Sequence, residues 1–436
     1  IDLGGMKPHQ QELPPPFANI RPDGENKTAA PRNEEVAMSA LAAICVSFMA
    51  MNPEPAPATA FANDVAFLSK HVKTVVLKDP TGRAEVAVVP AYQGRVMTST
   101  DGSSGLSYGW INRELISEGK LRKHINAFGG EDRFWLGPEG GQFTIFFKSG
   151  DPFDLEHWQT PAPIDSDPYN LVKKTASEAH FAKTFDLENY MGHPLKVKVD
   201  RAVRVLPGKG ALKVRIAFPA GVHAVAYETV NKVTNAGAHA WTDDRGMLSV
   251  WILGMFNASP TTTVAIPFKT GSTAALGPIV NDTYFGKVPA ERLKVVDDTI
   301  FFKGDANFRS KIGISPKRAR PIMGSYDAKN KVLTIVEYTL PGNTTKYVNS
   351  MWEIQENPFG GDAVNSYNDG PPPTGGAQLG KFYELESSSP ALGLKPGQSA
   401  THVHRTIHFQ GDEKGLDLLA KATLGVSLAE IKGALK

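Results

Sequence analysis

The sequence predicts an all-β protein: one large antiparallel sandwich with a few short helices, some of them at the C terminus. Three observations predict it. Apolar and polar residues alternate with a period of two in segment after segment between 72 and 410. Turn-forming clusters separate these segments, among them Asp79-Pro80-Thr81-Gly82, Pro207-Gly208-Lys209-Gly210, Asp243–Gly246, Asp327–Asn330 and Lys395-Pro396-Gly397. Gly (41) and Pro (32) are plentiful in 436 residues, which suits a turn-rich β protein better than a helical bundle.

The chain opens differently. Residues 1–36 carry Pro14-Pro15-Pro16 and mixed charges without an apolar period, and read as disordered. Ala37–Met51, AMSALAAICVSFMAM, is uncharged. It is shorter than the ~20 residues a membrane span needs, but has the length of a signal-peptide apolar region. Ala58-Thr59-Ala60 and Ala60-Phe61-Ala62 behind it fit a small-x-small cleavage pattern. The expectation is export, with a periplasmic or extracellular protein and no transmembrane span in the mature domain. Arg32 is followed by Glu34 and Glu35 rather than preceded by a basic run, so a cytoplasmic protein is the alternative.

Strands are expected at Thr74–Leu77, Glu85–Val89, Gln142–Phe147, Lys196–Leu206, Ala211–Phe218, Val222–Val230, Met247–Leu253, Thr262–Phe268, Thr299–Phe302, Lys331–Thr339, Tyr347–Gln355, Phe382–Glu386 and His402–Phe409. A short helix is expected near Ser107, carrying Trp110, Ile111 and Leu115. Two more are expected at about 413–422 and 427–435, with Ser427 and Glu430 as a capping box. No linker-like shift divides the middle of the chain. The organisation is therefore a leader segment 1–62, a single β domain 63–412 and C-terminal helices 413–436. Asp369–Gly380 reads as a surface loop.

Composition excludes some functions. Lys+Arg (47) and Asp+Glu (45) leave a net charge of +2, without the basic surface that nucleic-acid binding needs. The single cysteine, Cys45, excludes an intrachain disulfide and a multi-cysteine zinc site.

Polar chemistry concentrates in a few segments. Tyr92–Thr100, YQGRVMTST, presents Arg95 after a glycine. Trp110–Asn112 leads toward Gly129–Gly141, GGEDRFWLGPEGG, which packs Glu131, Asp132, Arg133, Trp135 and Glu139 among glycines and prolines. Met351–Asp369 contains WEIQENPFGGDAVNSYND, and Phe382–Phe409 contains YELESSSPALGLKPGQSATHVHRTIHF.

These motifs resemble galactose-mutarotase-like proteins. GGEDRFWLGPEGG resembles their Gly-Gly-x-x-x-Trp-x-x-Pro-Glu stretch. YELESSSPALGLKPGQS resembles the segment before their final strand, and WEIQENPFGGDAVN their Glu-Thr-Gln … Pro-Asp-x-x-Asn motif. With NSYNDGP and HVHRTIHF, the pattern is most similar to an uncharacterised bacterial, exported family of that superfamily, over roughly 65–410. The resemblance implies a β-supersandwich whose concave face binds a mono- or oligosaccharide. It stops at one place: where mutarotases carry the catalytic histidine of a His-Pro-Tyr-Phe-like segment, this chain reads Trp251-Ile252-Leu253-Gly254-Met255-Phe256. Mutarotation pairs a carboxylate with an imidazole, so the usual acid is missing.

Other residues offer themselves. His402, His404 and His408 are separated by even numbers of residues and so share one face of a strand, with Val403 and Ile407 on the other. They suit a sugar or, completed by Glu384 or Glu386, a divalent metal; a hydrogen-bonded strand face explains them as well. Glu384 and Glu386 share a face, and close carboxylates drive each other's pKa apart, readying one as acid and the other as base. Glu353 is a rival carboxylate. The expected catalytic set is Glu384, Glu386, His402 and His404. Arg95, Arg133, Glu131, Asn112, Asn365, Asn368, Asp369 and His408 are expected to hold hydroxyls, and Trp110, Trp135 and Trp352 to stack on sugar rings. The expected function is a carbohydrate-active enzyme of the epimerase, lyase or hydrolase type, or a carbohydrate-binding protein. The alternative is a non-catalytic or structural protein on the same scaffold.

Overall fold

The structure, a computed structural model, describes residues 59–214, 216–371 and 378–436. Of the expected leader 1–62, residues 1–58, including the apolar run Ala37–Met51, lie outside the described residues; Ala60–Ala62 instead open a helix, Ala60–His71, with Phe61 buried, so the folded part starts a few residues before the expected boundary.

Two antiparallel sheets form the body. The ten-stranded sheet runs, edge to edge, Leu293–Val296, Thr299–Lys303, Thr262–Pro267, Ile322–Asp327, Val332–Tyr338, Ser399–Gly411, Val222–Asn235, Pro194–Leu206, Glu178–Glu188, Asn170–Lys174. The five-stranded sheet runs Ser310–Ile314, Val364–Asn368, Phe382–Ser388, Ser249–Asn257, Arg133–Gly137. A third, three-stranded sheet, Val75–Lys78, Glu85–Val89 and Arg95–Thr100, packs against helix Ala60–His71 through Phe61, Leu68, Val89 and Met97. This is the large antiparallel sandwich that the alternation predicts. Among the described residues, no helix is long and apolar enough to cross a membrane.

Alternation explains the layers. Ile312, Val364, Tyr383, Leu385 and Phe256 of the five-stranded sheet meet Val264, Ile266, Phe302, Met323 and Val336 of the ten-stranded sheet. Buried side chains of this size contribute about 2 kcal/mol each. The outer face of the large sheet shows Phe301, Leu333, Ile335, Ile407 and Phe409. Helices Glu413–Leu424 and Leu428–Gly433 cover it with Leu416, Leu419, Leu424, Leu428 and Ile431. The expected capping box at Ser427 and Glu430 is present.

Three expected strands are not strands. In 142–147, Phe143, Ile145, Phe146 and Phe147 are buried, but the backbone turns on itself. Thr144 Oγ1 donates to Glu139 O (2.6 Å) and accepts from Phe146 N (3.0 Å). Such local side-chain bonds compete with a ladder. Segments 211–214 and 216–218 pack Leu212, Ile216 and Phe218 toward the C-terminal helices without strand pairing. In 347–355 only Tyr347 makes a bridge, to Gly360, and Asn349 Oδ1 accepts from Met351 N (3.1 Å). The helix expected near Ser107 is confined to Arg113–Glu118; Trp110 and Ile111 precede it in an extended stretch. In the other direction, Glu178–Glu188 is an eleven-residue strand that the turn signals did not mark.

Candidate functional site

Strand Phe382–Ser388 divides the polar chemistry between two faces. Phe382, Glu384 and Glu386 point one way; Tyr383, Leu385 and Ser387 point the other. Register extends the first set across the sheet. Glu386 pairs with Asn365 on one side and Leu253 on the other, and Leu253 with Arg133. Glu384 pairs with Tyr367, which pairs with Lys311. Arg133, Glu384, Glu386, Lys311 and Asn365 therefore share the face turned away from the ten-stranded sheet.

On this outer face, each cation holds one carboxylate. Arg133 Nη2 donates to Glu384 Oε1 at 3.2 Å, and Lys311 Nζ to Glu386 Oε2 at 3.0 Å. Trp251 Nε1 also donates to Glu386 Oε2, at 2.8 Å. The Arg133 guanidinium sits 4.2 Å from the Trp135 ring centre, and Lys311 Nζ 4.6 Å from that of Trp251 and 5.6 Å from that of Tyr284. Both carboxylates are buried. Burial pushes the Glu384 carboxyl well above its ordinary range; Arg133 opposes this, and the adjoining Glu386 carboxyl adds to it. Of the two adjoining carboxyls, Glu384 is the one that burial favours in its protonated form. Glu139, half-buried beside them, is pushed up to about 7 by burial, against Lys311 and with Glu386. Asp362 accepts from Tyr284 OH (2.6 Å) and Asn281 Nδ2 (3.3 Å), and burial raises it too. Among the described residues, Glu386 Oε1, Arg133 Nε and Trp135 Nε1 of this floor have no hydrogen-bond partner.

The histidines lie on the opposite side of the sheet. Ser387 Oγ is 2.8 Å from both His402 Nε2 and His404 Nδ1, inside the sandwich. One hydroxyl proton serves one ring, so the other ring must donate to Ser387 Oγ. His408 Nε2 is 3.0 Å from Glu131 Oε2, which also accepts from Tyr227 OH (3.0 Å) and Ser99 Oγ (2.9 Å). Nearby, Asp132 is bonded by Arg201 and by Thr229 Oγ1 (2.8 Å). Burial pushes His402 down to about 3 and His404 to about 4, so both are neutral at ordinary pH.

The expected convergence of carboxylates and histidines is thus corrected. Arg133, Glu384, Glu386 and Asn365 come together. His402, His404, His408 and Glu131 stand behind them, because strand alternation sends Ser387 and its partners into the interior. Arg95 is buried too; its Nη1 and Nη2 bond Gly129 O and Gln93 Oε1, both at 3.0 Å, so it braces a loop. Asn112 caps helix Arg113–Glu118 through Leu115 N (3.0 Å), and Glu353 is exposed. Trp135 lies under Arg133, which takes the ring face that a sugar would need. Trp110 packs on Phe382 in a tilted pair with ring centres 4.7 Å apart, and Asp369 is bonded by Tyr367 OH and Gly380 N, both at 2.7 Å. These two flank the dyad on its Phe382 side. Among the described residues, no His/Cys/Asp/Glu group is arranged to hold a metal ion.

Sequence reasoning missed Lys311, Trp251, Tyr284 and Asp362. Lys311 carried a signal: a lone charge in the apolar strand SKIGI. Trp251 lies in the very segment that lacks the expected histidine, and its indole N–H reaches Glu386 instead. Gly254 in that segment leaves room for the crossing chain, since a Cβ there would lie 2.6 Å from Glu131 O.

Comparison with known proteins follows this geometry. A family described as "Family of unknown function (DUF6786)" matches residues 59–435. No curated protein matches. Among solved structures, the chain is similar in fold to the Slr1438 protein of Synechocystis sp. PCC 6803, at 12% identity and a TM-score of 0.47, over 78% of this chain and 96% of that one. It is also similar to a galactose mutarotase-like protein from Lactobacillus casei ATCC 334, at 9% identity and 0.43, over 78% and 100%. A galactose mutarotase related enzyme from Lactobacillus acidophilus follows at 11% and 0.42, over 78% and 98%.

Proposed function

The chain belongs to the DUF6786 family of unknown function, and we propose that it binds a carbohydrate on the outer face of the five-stranded sheet, with Glu384 and Glu386 as a proton-transfer pair. The observation that carries this reading is the buried dyad with its unpartnered atoms. Glu386 Oε1 is an acceptor, and Arg133 Nε and Trp135 Nε1 are donors. A sugar hydroxyl both donates and accepts, so a ligand rich in hydroxyls matches such a mixed set. The segments that build the floor are also those whose motifs resemble galactose-mutarotase-like proteins.

The chemistry follows from the two environments. Burial keeps Glu384 protonated near neutral pH, as a general acid requires. Glu386 receives two hydrogen bonds, from an ammonium and an indole N–H, which stabilise its carboxylate as a base. A second reading, non-catalytic sugar binding, is favoured by the withdrawal of His402 and His404 from this face, which leaves no carboxylate–imidazole pair across it.

The test is a thermal-shift and glycan-array screen with mono- and oligosaccharides, with and without chelator, on the wild type, Glu384→Gln and Glu386→Gln. A catalytic dyad predicts that Glu384→Gln binds ligand but loses turnover. Binding without turnover in the wild type selects the second reading. The absence of binding by any saccharide refutes both.

A further inference from the structure

The carboxyls of the outer face are buried, but the apolar side chains that border them on one side are not all covered. Phe285 and Leu379 are each 44% exposed. Glu384 lies opposite Tyr367 across a strand pair and two residues beyond Phe382. Ring contacts run on from there in both directions. Phe382 lies 4.7 Å from Trp110 and 5.9 Å from Tyr367, and Tyr367 lies 5.8 Å from Phe285. Four rings thus form a row whose middle members neighbour Glu384 and whose outer end is Phe285. Phe285 and Tyr367 meet at 63°, edge to face rather than stacked, so Phe285 keeps much of its surface uncovered.

The loop that carries Phe285 is pinned to the sheet. It leaves the edge strand Ser310–Ile314 at Asn281, whose N–H donates to Gly313 O (2.8 Å) and whose C=O accepts from Gly313 N (2.7 Å). Tyr284 OH donates to Asp362 Oδ2 at 2.6 Å. Tyr284 lies against Lys311 and Phe285 against Tyr367, and Lys311 and Tyr367 are themselves register partners. The loop therefore sets one ring beside each of two paired strands. Tyr367, the support of Phe285, is fixed in turn: its OH donates to Asp369 Oδ1, and Gly380 N donates to Asp369 Oδ2, both at 2.7 Å. The exposed surface of a ring held in this way contributes nothing to folding; it contributes when a ligand covers it, and the ring is already ordered to receive one.

We propose that the ligand has at least two linked sugar rings, the first over the Glu384–Glu386 pair and the second on Phe285, with the linking oxygen on the Glu384 side. This rests on the sugar-binding reading above and adds the length of the ligand to it. The apolar C–H face of a pyranose lies flat on an aromatic ring while its hydroxyls stay at the rim in water. Tyr367, under Phe285, is one strand away from Glu384, a step of about 4.8 Å, so one glycosidic bond spans the two places. Covering roughly 50–60 Å² of apolar surface corresponds to about tenfold in affinity. A disaccharide should therefore bind about tenfold more tightly than the methyl glycoside of its first ring.

The experiment is calorimetric titration with a panel of the methyl glycosides of glucose, galactose and mannose and of disaccharides that join each of these to a second ring through an α or a β bond. It is repeated on Phe285→Ala, which removes the ring, and on Phe285→Tyr, which keeps it. For at least one linkage the disaccharide should bind about tenfold more tightly than the matching methyl glycoside. Phe285→Ala should bring that ratio close to one with methyl glycoside binding unchanged, and Phe285→Tyr should keep the ratio. Disaccharides that bind no more tightly than methyl glycosides overturn this inference while leaving the sugar-binding reading intact. A gain that survives Phe285→Ala, or an equal loss of both ligands in that variant, also overturns it. A panel in which no member binds overturns the sugar-binding reading, and this inference with it.

Discussion

Lowering the pH tests the placement of His402 and His404 inside the sandwich. Burial holds them at about 3 and about 4. For His402 the neighbouring His404 adds to the depression; for His404 the Asp132 carboxylate works against it and Arg201 with it. In the unfolded chain both titrate near 6.5. Their folded values are depressed, so the unfolded chain binds more protons below pH 6.5. The associated stability is fully present above that pH and is lost as the pH falls toward the folded values. Between pH 7 and pH 4.5, some two units of separation apply to each ring. At 1.36 kcal/mol per unit this is roughly 3 kcal/mol per histidine, or ~5 kcal/mol for the pair. The perturbation is His402→Gln with His404→Asn, which keeps polar atoms near Ser387 Oγ but cannot protonate. Urea unfolding of both proteins at pH 7 and pH 4.5 gives four free energies. The wild type should lose ~5 kcal/mol more than the variant over this interval, because all other titrations are common to the two. His404→Asn alone should show about half of this difference. Equal losses in wild type and variant would refute the placement and return the histidines to an accessible face.

Further outcomes follow from the same clusters. Lys311→Met leaves Glu386 buried opposite no cation and should destabilise by about 3–5 kcal/mol; adding Glu386→Gln should recover part of this, as read from a double-mutant cycle of unfolding free energies. Ser387→Ala removes the shared partner of His402 Nε2 and His404 Nδ1, at a cost of about 1–3 kcal/mol per orphaned ring, visible as a lower melting temperature. Glu384 has the opposite pH sign to the histidines. Its folded pKa is raised, so its contribution is present below about pH 4.5 and is lost as the pH rises through the folded value. Glu384→Gln mimics the protonated form and should flatten the decline in stability, read by denaturant unfolding, between about pH 4.5 and about pH 8.

The fold was largely legible because alternation is a local signal. Strands such as Lys331–Thr339 and Phe382–Glu386 appear within a residue or two of their observed bounds, Val332–Tyr338 and Phe382–Ser388. Segment 142–147 misled because QFTIFF has strand composition, while Thr144 spends its hydroxyl on a turn. The site was legible along a strand and illegible across the sheet. That Glu384 and Glu386 share a face follows from a spacing of two. That Ser387, one residue on, belongs with His402 and His404 requires knowing which face looks into the sandwich. The pairing of Lys311 with Glu386 spans 75 residues and depends on the register of Ser310–Ile314 against Val364–Asn368, which no short-range pattern encodes.

The central claim, that the ligand meets the Glu384–Glu386 face and not the histidine interior, is tested most directly by one comparison. The tightest-binding sugar of the panel is titrated calorimetrically into wild type, Glu386→Gln and His404→Asn. The account predicts at least a roughly tenfold loss of affinity in Glu386→Gln, from the loss of a charged hydrogen-bond partner, and wild-type affinity in His404→Asn. Undiminished binding by Glu386→Gln together with loss in a folded His404→Asn would contradict it.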